Sequence, residues 1–579
     1  MSNRAQVAVA DAAVQRLPAL RRENAPTAKG MVGALPSWVH AHGYVLFAAI
    51  LMVPSFIWII LDQSVWSWDA AGYGEASVNL YYQLLHGTRH WPGEMRVVFP
   101  LKAPGIVWFG QFFVPLGQFL GSIDLGLLVS IIGYQWITLI LVNRMGREIF
   151  PELGLFGLLA GCLLVGSAPL FVASSHRYLT ESLQMLGVAW IFHTAAFASR
   201  WDRLQILSHL IAAGSFAMLA KLNTPAYCFL PGLIALVSLW LRRRPEPQSA
   251  PRHVVLHRLA FFVSLVWCAA TLAWYWTNWS TVYAFAYSSA LGELSVYYGH
   301  RDTFVNKLLG WVSVSQNGLF TPISFWCVIG ICGAGLGMSF AGFRQRGDAP
   351  WGRANLLVAA SFLQVFVFLG VAAVSINELT RFVAPLLPAA ALLCMAALAK
   401  IGSRRFEQVF AAIFLVQWVY VTMLNFGVLN EPRPVAGHPF GSQLLTDDAW
   451  KQEAERLVSH IANDPEGACR PHMVGVENRR LNAAALNYVA AKDRLLTHRS
   501  VCFATLDYPP TKDCQKVWQR LEEMKIGYFL TLTDEQIATD AFNQTSKYVA
   551  GHIADDAHYE RESYQSDFGV VIYRRQGPK

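Results

Sequence analysis

Apolar runs dominate the first three quarters of the chain. Each is close to the roughly 20 residues a helix needs to cross a bilayer. They fall near 44–62, 125–143, 153–172, 181–199, 206–222, 224–241, 257–276, 319–342, 354–376, 382–399 and 407–427, which makes about eleven spans. The stretch 105–121 is also apolar, but Gly105, Gly110, Pro115 and Gly117 interrupt it. It reads as an interfacial or re-entrant segment. From 428 onward the pattern changes. Short runs at Met473–Glu477, Tyr528–Thr533 and Gly569–Arg574 read as strands, and Asn478–Lys492 and Lys512–Lys525 read as helices. The pattern predicts a mainly α, polytopic transmembrane helical bundle followed by a C-terminal extracytoplasmic α/β domain. The expected divisions are a cytoplasmic tail at 1–43, a membrane domain at 44–427 with a large first outer loop at 63–124, and an outer domain at 428–579.

Composition supports this reading. Charged residues are 15% of the chain and hydrophobic residues 54%, whereas soluble chains carry about 25% charge. The net charge of +8 does not mark a nucleic-acid partner. Its basic residues sit in short clusters between spans: Arg144/Arg147, Arg200/Arg203, Arg242–Arg244 with Arg252/Arg258, Arg344/Arg346/Arg353, and Lys400/Arg404/Arg405. With the N-terminus cytoplasmic, every cluster falls on the inner side. Counting 105–121 as a span would invert the later clusters. The expected place is a cytoplasmic (inner) membrane, with the C-terminal domain periplasmic or extracellular. Cys469, Cys502 and Cys514 lie in that domain, where one pair is free to oxidise. The Gly333–Gly337 glycine run lies in a span and reads as helix packing rather than a phosphate loop. Asn278-Trp279-Ser280 and Asn543-Gln544-Thr545 match glycosylation triplets on the outer side.

Four polar clusters fall on the outer side. The first is Trp68-Asp69-Ala70-Ala71-Gly72-Tyr73-Gly74-Glu75, directly after the first span. The second is Phe99-Pro100-Leu101-Lys102-Ala103-Pro104. The third is Ser174-Ser175-His176-Arg177-Tyr178-Leu179-Thr180-Glu181, and the fourth is Asn377-Glu378-Leu379-Thr380-Arg381. Each has a plain structural reading. Trp and Tyr favour the membrane interface, a Lys there snorkels, and Arg177 is placed to pair with Glu181. Together, however, two carboxylates and several cations meet at one membrane surface, which suits an anionic, lipid-linked substrate. Transporters place such charges near the midplane, and here only Lys221 approaches that depth, at its helix's outer end.

The order of these motifs resembles a family. A first span is followed by D-x-x-x-Y-x-E, then K-x-P opening a G-x-x-W-F segment, a second outer loop with a carboxylate, and R-F-x-x-P-x-x-P at Arg381–Pro388. Over roughly 44–400 this is similar to the membrane-embedded GT-C glycosyltransferases of the protein O-mannosyltransferase and lipid A aminoarabinose transferase type. The chain departs from the family at Ala70, where an acidic residue is frequent, and in offering Glu181 where many members carry Asp. The resemblance implies a sugar donor on polyprenyl phosphate and inverting transfer on the outer face. The acceptor would be lipopolysaccharide or lipid A, an envelope glycan, or protein. Asp69 is then the candidate base and Glu181 a second catalytic group. Tyr73, Glu75, Lys102, His176, Arg177, Glu378 and Arg381 are candidate substrate-binding residues, and Trp68 and Trp108 candidate stacking surfaces. No obligatory cofactor or metal is expected, a divalent cation being an optional addition beside Glu181. Expected partners are the donor, the acceptor and membrane lipids, with no nucleic acid. Two other classes compete. A flippase or transporter of lipid-linked saccharides would show mid-membrane charges and two similar halves. A membrane scaffold would tolerate loss of Asp69 and Glu181.

Overall fold

The computed structural model describes residues 37–241, 251–345, 353–429, 444, 446, 448–464, 470–506, 514–533 and 544–576. Two compact units are present, Met1–Leu46 and Phe47–Lys579. Of the first, 37–46 are described and are helical. The expected tail at 1–43 therefore lies largely outside the described residues, and its last part already belongs to the helix Ser37–Leu61. Arg242–Arg244, Arg346, Cys469 and Asn543 also lie outside them.

The protein is a multi-pass, mainly helical membrane protein. Seven described helices are long and apolar enough to span, or nine if two bent pairs each count once. This is fewer than the eleven expected, although helices occupy all eleven predicted segments. The two that fall short are Thr180–Phe197 and Pro225–Leu241. Thr180–Phe197 is buried on nearly every face and carries Glu181, Gln184 and His193 inside the bundle. A helix surrounded by protein rather than lipid can hold such residues, which lowers its apolarity. Pro225–Leu241 is simply short, at 17 residues. Leu155–Gly166 and Pro169–Ser175 meet at 59°, and Phe304–Gly318 and Pro322–Gly335 at 110°. A proline starts the second member of each pair, where its missing N–H and fixed φ suit a first turn.

Two connections differ from the loops expected. The helix Pro251–Ala290 has 40 residues and runs on past 276, because no glycine or proline interrupts it before Gly292. At about 1.5 Å per residue it is roughly 60 Å long, about twice the hydrocarbon thickness. The first loop, 63–124, folds into short helices: Trp68–His86, Trp91–Val97, Gly105–Gly110 and Val114–Phe119, with a 3-10 turn at Gln111–Phe113. The apolar 105–121 stretch is thus broken and does not form a span. Its close packing rests on Gly110. A Cβ there would lie 1.6 Å from the Tyr178 hydroxyl, which donates to the Ile106 carbonyl at 2.7 Å.

The C-terminal segment forms a mixed five-stranded sheet in the order β2-β1-β3-β5-β4. The strands are β1 His472–Val474, β2 Phe503–Thr505, β3 Tyr528–Leu532, β4 Tyr559–Arg561 and β5 Val570–Arg575. β1 pairs in parallel with β2 and β3, while β5 is antiparallel to β3 and β4. The predicted strands correspond to β1, β3 and β5, and the predicted helices to Ala483–Thr497 and Cys514–Met524. The segment rests on the first loop. Tyr488 stacks on Trp66 at 5.0 Å and donates to Asp124 at 2.5 Å, and Lys492 donates to the same carboxylate at 3.1 Å. The Val65 amide donates to Asp448. Cys502 and Cys514 are both free thiols.

Candidate active site

Five charged side chains from five parts of the chain form an alternating ladder. Asp69 enters at the second residue of the helix Trp68–His86, where an acidic group faces the positive end of the helix dipole. Lys102 comes from the turn after Phe99. Its Nζ lies 2.5 Å from Asp69 Oδ1. Arg381 opens the 3-10 helix Thr380–Leu386 and spans two carboxylates: Nη2 is 3.1 Å from Asp69 Oδ2, and Nε is 3.2 Å from Glu181 Oε1. Lys221 ends the helix Arg203–Ala220 and its Nζ is 2.5 Å from Glu181 Oε1. The order is Lys102–Asp69–Arg381–Glu181–Lys221. Glu181 is 2% exposed and its Oε2 has no hydrogen-bond partner.

The backbone just before Asp69 and in the turn before Lys102 is unusual. Trp68 has φ +47° and Phe99 φ +54°. Both are bulky residues in the left-handed region, which costs of order 1–3 kcal/mol each and concentrates where function fixes the chain. The strained turns aim Asp69 and Lys102 at one another. Tyr73, one turn beyond Asp69, is buried, packs on Phe99 at 4.5 Å between ring centres, and hydrogen-bonds with Thr180. Burial, then the charges of Asp69 and Glu181, hold its pKa well above the ordinary value, so it stays a neutral phenol. Burial works to raise the pKa of Asp69, but Lys102 and Arg381 outweigh it and hold the carboxyl well below the usual range.

Arg177 joins the rim. It is exposed, and its charge interacts with Arg479, Arg381 and Glu181. Arg479 comes from the loop after β1, so the C-terminal segment contributes to this field. Lys102, Arg381 and Lys221 thus face two carboxylates, leaving one positive charge in excess within the ladder. The arrangement attracts an anion.

The structure brings together Asp69, Tyr73, Lys102, Arg177, Glu181 and Arg381, but not the other candidates. Glu378 pairs with Lys307 at 3.6 Å, and Lys307 also donates to the Ser375 carbonyl. His176 stacks on Trp58 at 3.9 Å, and both its ring nitrogens are buried without a partner. It lines a small cavity with Ser55 and Asn425, between the first and last spans. Glu75 points the other way around its helix from Asp69, and its charge bears on Cys502. Burial pushes its pKa up to about 7. Trp108 is buried, with its indole N–H donating to the Met95 carbonyl. Arg177 was the expected partner of Glu181, yet the contacts at hydrogen-bond distance come from Lys221 and Arg381. Lys221 is the member that sequence reasoning left without a role. The signal was present, since a lysine closing an apolar span is costly without a partner. Among the described residues no group of three or more His, Cys, Asp or Glu is placed to hold a metal. Asn278 donates to the Arg96 and Trp274 carbonyls from a buried position, so it is not a surface acceptor. Gly335 packs directly on Ala397, as expected for a helix-packing glycine.

No protein-family model and no curated protein sequence matches the chain. The likeness is one of fold, to solved structures. ArnT from Cupriavidus metallidurans aligns over 93% of this chain and 100% of its own, with a TM-score of 0.54 and 12% identity. The same protein bound to undecaprenyl phosphate aligns equally well. The mycobacterial arabinofuranosyltransferase AftD aligns over 94% of this chain and 40% of its own, at TM-score 0.50 and 14% identity.

Proposed function

We propose that this protein transfers a sugar from a polyprenyl-phosphate donor to an acceptor hydroxyl at the outer surface of the cytoplasmic membrane, with inversion at the anomeric carbon. The observation that carries the reading is the ladder with its surplus of cations around Asp69. The donor's phosphate is anionic, and the structure of ArnT with undecaprenyl phosphate supports a polyprenyl phosphate as the lipid partner. Asp69 takes the proton of the acceptor hydroxyl as its oxygen attacks the anomeric carbon. The bond from that carbon to the phosphate oxygen breaks, and polyprenyl phosphate leaves with the electron pair. Lys102 and Arg381, assisted by Arg177, stabilise the charge gained by the leaving phosphate. Glu181, fixed by Lys221 and Arg381, orients the acceptor. The side-chain cations make a resident metal unnecessary for this neutralisation. The acceptor classes are lipopolysaccharide or lipid A, an envelope glycan, and protein. The ladder's charges sit at helix ends and in the first loop, which favours interfacial chemistry over transport through the midplane.

In membranes, Asp69→Asn is expected to abolish transfer while protein abundance is unchanged, and Lys102→Ala to raise the donor concentration needed for half-maximal rate. Full activity of Asp69→Asn would remove Asp69 as base.

A further inference from the structure

The geometry of Asp69 carries a difficulty for its role. Both oxygens of the carboxylate are engaged by cations, Oδ1 by Lys102 at 2.5 Å and Oδ2 by Arg381 at 3.1 Å. A carboxylate held in this way has little affinity for a proton, as the depressed pKa of Asp69 reflects. It is a poor base for a sugar hydroxyl. The same two side chains are the natural ligands of a phosphate, which accepts charge-assisted hydrogen bonds from Lys and Arg. The ladder makes the exchange easy for Arg381, because it is shared between Asp69 and Glu181 and is not exclusive to either.

We propose that the ladder is an interlock in which the donor's phosphate draws Lys102 and Arg381 away from Asp69, so that Asp69 becomes a competent base only once the donor is seated. This rests on the reading of the donor as a polyprenyl phosphate. All the charged and titratable groups around Asp69 bear on the exchange. Tyr73 on its own helix stays neutral. Lys102 and Arg381 leave. Glu181, one step along the ladder, raises the proton affinity of Asp69 by like-charge repulsion once the cation between them moves. Lys221 stays on Glu181. The device orders the reaction: the donor binds first, and neither water nor acceptor is deprotonated before it. It also explains why a base is placed between two cations in a site whose chemistry needs its proton affinity.

The test is carbodiimide modification of Asp69 in the purified full-length chain. The reagent attacks protonated carboxyl groups, and mass spectrometry reads the labelled peptide. Labelling is followed from pH 5 to 8 with and without undecaprenyl phosphate, and lipid retained by the protein is quantified in the same samples. The interlock predicts that saturating lipid raises the labelling rate at pH 6 by about tenfold, the equivalent of one pKa unit. It also predicts that Lys102→Met labels faster than wild type without lipid and gains less when lipid is added. Bound lipid with unchanged or lowered labelling overturns the interlock and leaves the donor reading standing. No bound lipid overturns the donor reading and the interlock with it.

Discussion

At the scale of single residues, the site is a balance of burial against charge. Glu181 is deeply buried, and removing one of its two partners leaves the carboxylate under-compensated. Breaking buried ion pairs costs about 3–5 kcal/mol, less here because Arg381 remains. Lys221→Met is therefore expected to lower thermal stability by roughly 2 kcal/mol and to reduce transfer, whereas Lys221→Arg retains most of both. An unfolding midpoint unchanged in the methionine variant would show that the pair is dispensable. Glu75 makes a separate prediction. Burial raises its pKa from 4.5 to about 7 in the folded chain. Between those values the folded state binds more protons than the unfolded state, so stability falls as pH rises through that window. Above it the deficit reaches up to about 3 kcal/mol, at about 1.4 kcal/mol per unit. Glu75→Gln is expected to be the more stable protein at pH 8 and to lose its advantage at pH 5. Parallel melting curves for the two proteins at those pH values decide it.

At the scale of elements, the sequence is legible where periodicity and charge placement act alone. The apolar runs mark their helices, and the strands β1, β3 and β5 fall in short apolar runs. The first loop was harder to read. Helix Trp68–His86 is polar on one face and buried on the other, with Ala71, Tyr73, Ser77 and Leu80 turned inward. That pattern arises from packing under the C-terminal segment, so neither the membrane pattern nor a solvated-loop pattern describes it. Strands β1, β2 and β4 have three residues each, but β1 sits in an apolar run, whereas β4 carries Glu560 and Arg561 and β2 has Phe503 as its one large apolar side chain. Asp69, Lys102, Glu181 and Arg381 were visible as charges at one membrane surface, but which of them meet depended on contacts across as many as 312 positions. Glu378 and His176 looked equivalent in sequence and lie elsewhere because Lys307 and Trp58 claim them. The broken 105–119 segment yields its own test. Gly110→Ala drives a Cβ into the Tyr178 hydroxyl, and overpacking of this kind costs about 1–3 kcal/mol or more. The variant is expected to lose folded yield, with partial recovery when Tyr178→Phe removes the hydroxyl. Recovery is incomplete because the ring carbon stays 2.9 Å away. A fully stable Gly110→Ala would mean that this packing is not required.

At the scale of the whole molecule, the C-terminal sheet and the first loop act as one body over the site. The residues from Phe47 onward form a single compact unit. The Tyr488 contacts with Trp66 and Asp124, together with the charge of Arg479, link the C-terminal segment to the first loop and to Arg177. We therefore expect Tyr488→Ala to lower both stability and transfer, since the loss loosens the helix that carries Asp69. A large aromatic truncation in a core costs about 3–5 kcal/mol. Limited proteolysis within 63–104 reports the loosening, and an unchanged digestion pattern with unchanged activity would show that the segment merely covers the site. The fold likeness to ArnT extends over 93% of this chain.

Sugar transfer from a polyprenyl-phosphate donor is proposed to depend on Asp69. That dependence is tested most directly by mass spectrometry of envelope glycolipids and glycans in cells that lack the protein and are complemented with wild type or Asp69→Asn. One sugar is expected to be missing in the deletion and in Asp69→Asn alike, with its polyprenyl-phosphate precursor accumulating in both. Complete restoration of that sugar by Asp69→Asn would contradict it.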